Sequence, residues 1–214
     1  MKQAAVLGAQ TFLGFTLCKE LLNRGIQVLA VYEKAKNRFE QRQMEEKWLT
    51  VGRNAYFELV SEEDSPDLGS CDTAICEASW LKSRPTPAVP FVLVEDGPAW
   101  RKDVFEKAAM VYTGHFYGPW QPATEELIQW AADEFKSPPF RDEPGLYIED
   151  AAKTIIHIAM DESSFGKTFY LPGNGVRSDS LYSVVQKTAL TKGLDELKNH
   201  IEQYPFFYHS SALV

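Results

Sequence analysis

Residues 5–14 read Ala-Val-Leu-Gly-Ala-Gln-Thr-Phe-Leu-Gly, and this run constrains the fold more than any other part of the chain. An apolar segment suited to a buried strand meets a glycine turn and passes at once into a helix. Phe15, Cys18, Leu21 and Leu22 mark that helix, because their spacing puts them on one apolar face. Gly25 ends it as a C′ glycine does, and Ile26 to Tyr32 reads as a second buried strand. The chain therefore opens with a β–α–β unit.

The turn also carries chemistry. Where such a loop cradles a pyrophosphate, three small residues serve a tight turn, close approach of the backbone to the phosphates, and close helix–strand packing. Gly8 can serve the first and Gly14 the third, but Thr11 stands at the middle place. A β-branched side chain there crowds the phosphates. The helix N-terminus still offers N–H groups and the positive end of its dipole. The residues placed to meet a dinucleotide are Gly8, Gln10, Thr11, Phe12, Leu13 and Gly14, with binding expected to be weak or lost. The ordinary alternative is a β–α–β unit with no ligand.

The bulk properties narrow the class. At 214 residues the chain suits one domain with a sizeable core. A net charge of -8 argues against a nucleic-acid partner, which needs a basic footprint. No apolar run is long enough to span a bilayer, and a first strand beginning almost at Met1 leaves no signal peptide expected. Cys18, Cys71 and Cys76 are an odd number, and Cys18 and Cys76 fall on apolar elements. Buried, reduced thiols in a cytoplasmic protein are the expectation.

Further along, Lys34 to Trp48 reads as a polar helix with a solvated face. Ala55 to Val60, Asp72 to Ala78 and Phe91 to Val94 read as strands, as does Ala108 to Val111. Ser83 to Pro90 holds three prolines and cannot be a helix interior. Thr124 to Phe135 is read as a helix with Leu127, Trp130 and Ala131 on one face. Asp150 is placed as the cap of a helix reaching Met160, and Thr168 to Leu171 as a late strand. Ser178 is placed as the cap of a helix to Leu190, with Gly193 breaking it from a last helix to about Tyr204. Alternating strands and helices predict an α/β fold of the Rossmann type, a doubly wound, mostly parallel sheet. A reduced C-terminal lobe is expected from residues 120–144 and 172–214, within a single domain over 1–214.

Five segments, in order, carry a resemblance to the extended short-chain dehydrogenases, the NAD-dependent epimerase/dehydratase group. They are Leu7-Gly-Ala-Gln-Thr-Phe-Leu-Gly14, Asp72-Thr-Ala-Ile-Cys-Glu-Ala78, Tyr112-Thr-Gly-His-Phe-Tyr-Gly-Pro119, Tyr147-Ile-Glu-Asp-Ala-Ala152, and Gly166-Lys-Thr-Phe-Tyr-Leu-Pro-Gly173 followed by Ser178. The resemblance implies NAD or NADP as cofactor and Ala78 as a further contact. Glu33, about 19 residues past Gly14, could accept from an adenosine ribose hydroxyl. Lys34, Lys36 and Arg38 could meet a 2′-phosphate, although all four residues equally suit a solvated loop and helix face.

The departures bear on catalysis. The family pairs a tyrosine with a lysine four residues on, and the lysine lowers the phenol pKa from about 10. The corresponding stretch, residues 95–110, contains no tyrosine. The one Tyr-x-x-x-Lys, Tyr32 with Lys36, lies at the exit of the second strand, where the resemblance implies no catalysis. Glu95 and Asp96 stand where the family has a serine, and the helix between strands four and five is reduced to the proline-rich loop. Glu95 and Asp96, with Asp103 and Glu106, could supply acid–base chemistry only if their environments differ. His115, at the exit of the sixth strand, is the remaining candidate; a turn histidine is its simpler reading. His157 is placed as structural, and His200 and His209 on the surface. No spacing resembles a metal site.

Three functions follow as expectations. The first is a degenerate relative that binds a dinucleotide or small ligand weakly, or regulates. The second is an NAD(P)-dependent oxidoreductase or epimerase with nonstandard acid–base residues, and the third a non-catalytic scaffold. The aromatic tail Tyr204-Pro-Phe-Phe-Tyr208 either seals its own domain or forms a homodimer patch.

Overall fold

A computed structural model describes residues 1–82, 84–96, 106–124, 130, 145–172, 182–185 and 187–208. Among the described residues seven strands form one parallel sheet. They are β1 (Gln3–Leu7), β2 (Gln27–Tyr32), β3 (Phe57–Ser61), β4 (Thr73–Glu77), β5 (Phe91–Asp96), β6 (Ala108–Thr113) and, last in the chain, the strand Thr168–Tyr170. Two two-residue strands, β7 (Phe116–Tyr117) and β8 (Leu146–Tyr147), pair separately, so Thr168–Tyr170 is β9. The order β3-β2-β1-β4-β5-β6-β9 reverses direction between β1 and β4. That reversal is the switch point at which α/β sheets hold ligands, outside the carboxyl ends of the strands.

The period-two alternation of β1 divides its side chains between two cores. Ala4 and Val6 face one, Ala5 and Leu7 the other, and all four are buried. Helices α1 (Phe12–Asn23), α2 (Arg38–Val51) and α4 (Ile148–Met160) supply residues to the first core. The second is closed by the single turn of α3 (Ala78–Leu81) and the segment after it. The proline-bearing loop expected between β4 and β5 thus follows a four-residue helix. Between β3 and β4 run two 3-10 turns, Glu62–Asp64 and Leu68–Ser70. All three cysteines are buried and free, and burial raises the thiol pKa of each.

Several details differ from the sequence reading. Asp150 does not cap α4. It lies inside the first turn, buried, and accepts bonds from the backbone N–H and the hydroxyl of Thr188. Those bonds anchor a non-helical segment over Lys187–Ala189, where a helix was expected; Ser178 lies outside the described residues. The last helix, α5 (Leu190–Gln203), runs straight through Gly193. The glycine is needed there for space, since a Cβ would sit 2.8 Å from the Tyr117 hydroxyl and 3.0 Å from Tyr147 Cδ2. His157 is exposed on α4, and His200 is buried rather than on the surface; His209 lies outside the described residues. Of the helix expected over Thr124 to Phe135, only Thr124 and the buried, helical Trp130 are described.

Candidate active crevice at the switch point

The glycine loop is held from several sides. Gly8 has φ +82°, in the left-handed region that favours glycine. The N–H groups of Gly8 and Ala9 both donate to Val31 O, at 3.0 and 2.9 Å, and Thr11 N–H donates to Gly8 O at 3.0 Å. Thr11 is the N-cap of α1, its Oγ1 accepting from Gly14 N–H at 2.9 Å. A Cβ on Gly14 would lie 2.2 Å from Gly8 O, so this glycine performs the close-packing role expected of it. Four N–H groups of the loop and first turn are therefore already bonded within the chain.

Thr11 does more than occupy space. Its hydroxyl donates to the carboxylate of Glu77, the last residue of β4. Since β1 and β4 flank the switch point, this bond runs straight across it. Ala78, buried, follows at once as the first residue of α3. Beneath the loop, the buried ammonium of Lys47 reaches up from α2 and donates to Gln10 O at 2.8 Å. The Gln10 side chain in turn accepts from Glu33 N–H at 3.3 Å. A cavity of about 380 Å³ opens beside the loop, with Gln10, Phe12, Lys47, Trp120 and Phe207 in its wall.

Burial pulls the Lys47 ammonium down from 10.5 to about 8, against the opposing charge of Glu77. The unfolded chain therefore holds a proton that the folded chain has released between pH 8 and 10.5, and stability attributable to Lys47 rises with pH across that window. In paired urea unfolding of the native protein and Lys47→Met, the native protein should gain about 3 kcal/mol on the variant as pH climbs through that range. A gap independent of pH would show Lys47 to be solvated.

The adenosine side is also engaged. The carboxylate of Glu33, just beyond β2, is paired with Arg84. Arg84 Nε also reaches Glu62 at 2.8 Å, Nη1 donates to Trp80 O at 2.8 Å, and the guanidinium lies 4.0 Å over the Trp80 ring. Trp80 itself presses on the glycine loop, with Cε3 3.3 Å from where a Gly8 Cβ would stand. Lys34 is paired with Glu63.

The acid–base candidates are dispersed. Glu95 is buried at the end of β5, in register with Tyr112 on β6. Tyr112 stacks on Tyr170 with centroids 5.4 Å apart, and burial and then the Glu95 charge raise its phenol pKa. The His115 side chain is exposed, while its carbonyl accepts from Leu146 N–H at 2.9 Å. Asp103 and the side chain of Asp96 lie outside the described residues, and Glu106 is exposed. Among the described residues no cluster of His, Cys, Asp or Glu is arranged to hold a metal ion, and no helix is long and apolar enough to cross a membrane. Sequence reasoning missed Lys47, Glu77, Trp80 and Arg84 as members of this crevice. The one signal was the Trp80–Arg84 spacing of four, a separation at which side chains meet on a helix, although the helix itself ends at Leu81.

No family model matches the chain. In sequence it is similar to YjaV of Bacillus subtilis (strain 168), 24% identical over 170 residues that span 78% of this chain and 81% of that protein. In structure it is similar to UDP-glucuronic acid 4-epimerase from Bacillus cereus in complex with NAD, with a TM-score of 0.64, 14% identity, and coverage of 94% of this chain and 99% of that one. Yeast methylglyoxal/isovaleraldehyde reductase Gre2 complexed with NADPH gives a TM-score of 0.57 at 11% identity, covering 95% and 99%. Vestitone reductase from alfalfa (Medicago sativa L.) gives 0.58 at 10%, also covering 95% and 99%. The fold is thus the α/β Rossmann fold of the epimerases and short-chain reductases, as the five motifs implied.

As these residues lie, the crevice is partly filled where a dinucleotide would enter. Its pyrophosphate would have to pass the Thr11–Glu77 bond, and its ribose would have to share Glu33 with Arg84.

Proposed function

We propose that this chain is a catalytically silent relative of the epimerase/dehydratase group that acts by binding, with NAD or NADP as a weakly held ligand of the switch-point crevice. The observation that carries this reading is the absence of any tyrosine from residues 95–110, where the family's catalytic phenol belongs, and the tyrosines elsewhere do not replace it. A catalytic phenol in this fold works because a neighbouring cation lowers its pKa toward neutrality. Here Tyr112, Tyr117, Tyr147 and Tyr208 are all displaced upward, chiefly by burial. Carboxylates reinforce that direction at three of them: Glu95 at Tyr112, Asp150 and Glu196 at Tyr117, and Glu196, Glu149 and Asp150 at Tyr147. A phenol pushed up in this way neither gives nor takes a proton readily near neutral pH. Three buried cysteines outside any disulfide fit a cytoplasmic setting.

The test is turnover. With NADH or NADPH and a panel of sugar nucleotides, ketones and aldehydes, nicotinamide absorbance should decay no faster than without protein. Robust turnover would overturn the reading. Glu95→Gln, Asp96→Asn and His115→Ala would then be the first variants to make. Calorimetric titration with NAD+ should give an affinity weaker than micromolar.

A further inference from the structure

We propose that the chain fills its own cofactor cleft: Trp80 and Arg84 occupy the adenosine end, and the Thr11–Glu77 bond closes the pyrophosphate path, so a dinucleotide must displace all four to bind. This deepens the reading of the crevice as a dinucleotide site and rests on it.

Three observations converge. The first concerns the acidic residue that should receive the ribose. Glu33 stands at the carboxyl end of β2, where that residue belongs, but its carboxylate is ion-paired with Arg84, which also binds Glu62 beyond β3. One guanidinium thus ties the edges of β2 and β3 to the segment after β4. The second is the indole. Trp80 Cε3 lies 3.3 Å from where a Gly8 Cβ would stand, so the indole lies against the glycine turn, and Arg84 is stacked 4.0 Å over its ring. The third is charge. The residue facing Thr11 across the switch point is a carboxylate, and an incoming pyrophosphate would meet that charge where the fold otherwise offers N–H groups.

The two closures act on different parts of the ligand, which makes them separable. Adenosine carries no phosphate, so it reads only the Trp80–Arg84 end. ADP and NAD+ read both. Native protein, Arg84→Ala, Arg84→Met and Glu77→Gln would be titrated with adenosine, ADP and NAD+ by calorimetry, with melting temperature as a second readout of binding. Both Arg84 variants should bind adenosine at least tenfold more tightly than the native protein. Arg84→Met keeps an aliphatic cover on Trp80 should Arg84→Ala lose it. Glu77→Gln, which drops the charge and leaves Thr11 only a weaker, neutral hydrogen bond to displace, should gain at least tenfold for ADP and NAD+ and nothing for adenosine.

Weaker binding in the Arg84 variants would make Arg84 a ligand contact and overturn the proposal. So would unchanged affinity for every ligand, or micromolar NAD+ binding by the native protein. Catalytic silence is read separately by turnover, so either claim can fail while the other stands.

Discussion

Gly14→Ala is expected to yield no cooperatively folding protein. The added methyl carbon would lie 2.2 Å from Gly8 O and 2.9 Å from both Gly8 C and Thr11 Oγ1. Two of those atoms are backbone, and the backbone cannot retreat. Gly8 is already in the left-handed region, and its N–H and that of Ala9 are fixed to Val31 O. Moving the helix instead would pull α1 off β1 and open the buried seam of Leu13, Leu17 and Leu21. Overpacking in a core costs about 1–3 kcal/mol when neighbours can adjust, and here they cannot. A loss above ~4 kcal/mol approaches the lower end of the about 5–15 kcal/mol that holds an ordinary domain folded. Gly25→Ala is the control: its φ is +72°, but a Cβ there meets nothing within 4 Å. It should cost only the left-handed penalty of about 1–2 kcal/mol and fold normally. Urea unfolding of both variants decides the matter. A Gly14→Ala protein within ~1 kcal/mol of the native would refute the close β1–α1 packing.

The same loop shows what a sequence discloses and what it withholds. Gly8 and Gly14 could be read because their roles are local, a turn and a packing contact fixed by strand-to-helix geometry. Thr11 was legible as an obstruction but not as a cap and a bridge, since Glu77 is 66 residues away. Lys47 was hidden for a different reason. A lysine on a polar helix reads as solvated, and only the position of α2 against the loop, 37 residues off, buries it under Gln10. His200 was missed in the same way, being placed on the surface when the folded tail covers it. Just before α5 the described residues 187–189 are not helical where a helix was expected, and the bonds that Thr188 donates to Asp150, 38 residues away, hold them so. The central strands β1, β2, β4, β5 and β6 escaped such errors, because strands buried on both faces write apolar runs into the chain.

Truncation before Pro205 is expected to leave an insoluble or largely unfolded chain. The tail turns back in a 3-10 turn over Pro205–Phe207 and places Phe207 and Tyr208 in the interior, each 4% exposed. Phe207 packs 5.7 Å from Trp120 and 5.8 Å from Phe39, ring to ring, joining the tail to α2 and to the loop after β7. Tyr208 shares a hydrogen bond of 3.0 Å with His200 Nδ1. Burial, with Lys19 and Lys47 adding repulsion, holds that histidine neutral, at a pKa of about 4. Loss of two buried aromatics costs roughly 3–5 kcal/mol each, and a buried nitrogen robbed of its partner about 1–3 more. Together these approach the whole stability of a domain, about 5–15 kcal/mol. Phe206 is the internal contrast. It is 44% exposed, between Phe39 and the Arg42 guanidinium 4.1 Å above its ring. Phe206→Ala should therefore cost no more than about 1 kcal/mol. Melting curves and size-exclusion profiles of the truncated chain and of Phe206→Ala separate the tail's two readings. A truncated chain that melts with the native monomer and loses only a dimer would make the tail an interface, and its place in the core would have to be abandoned.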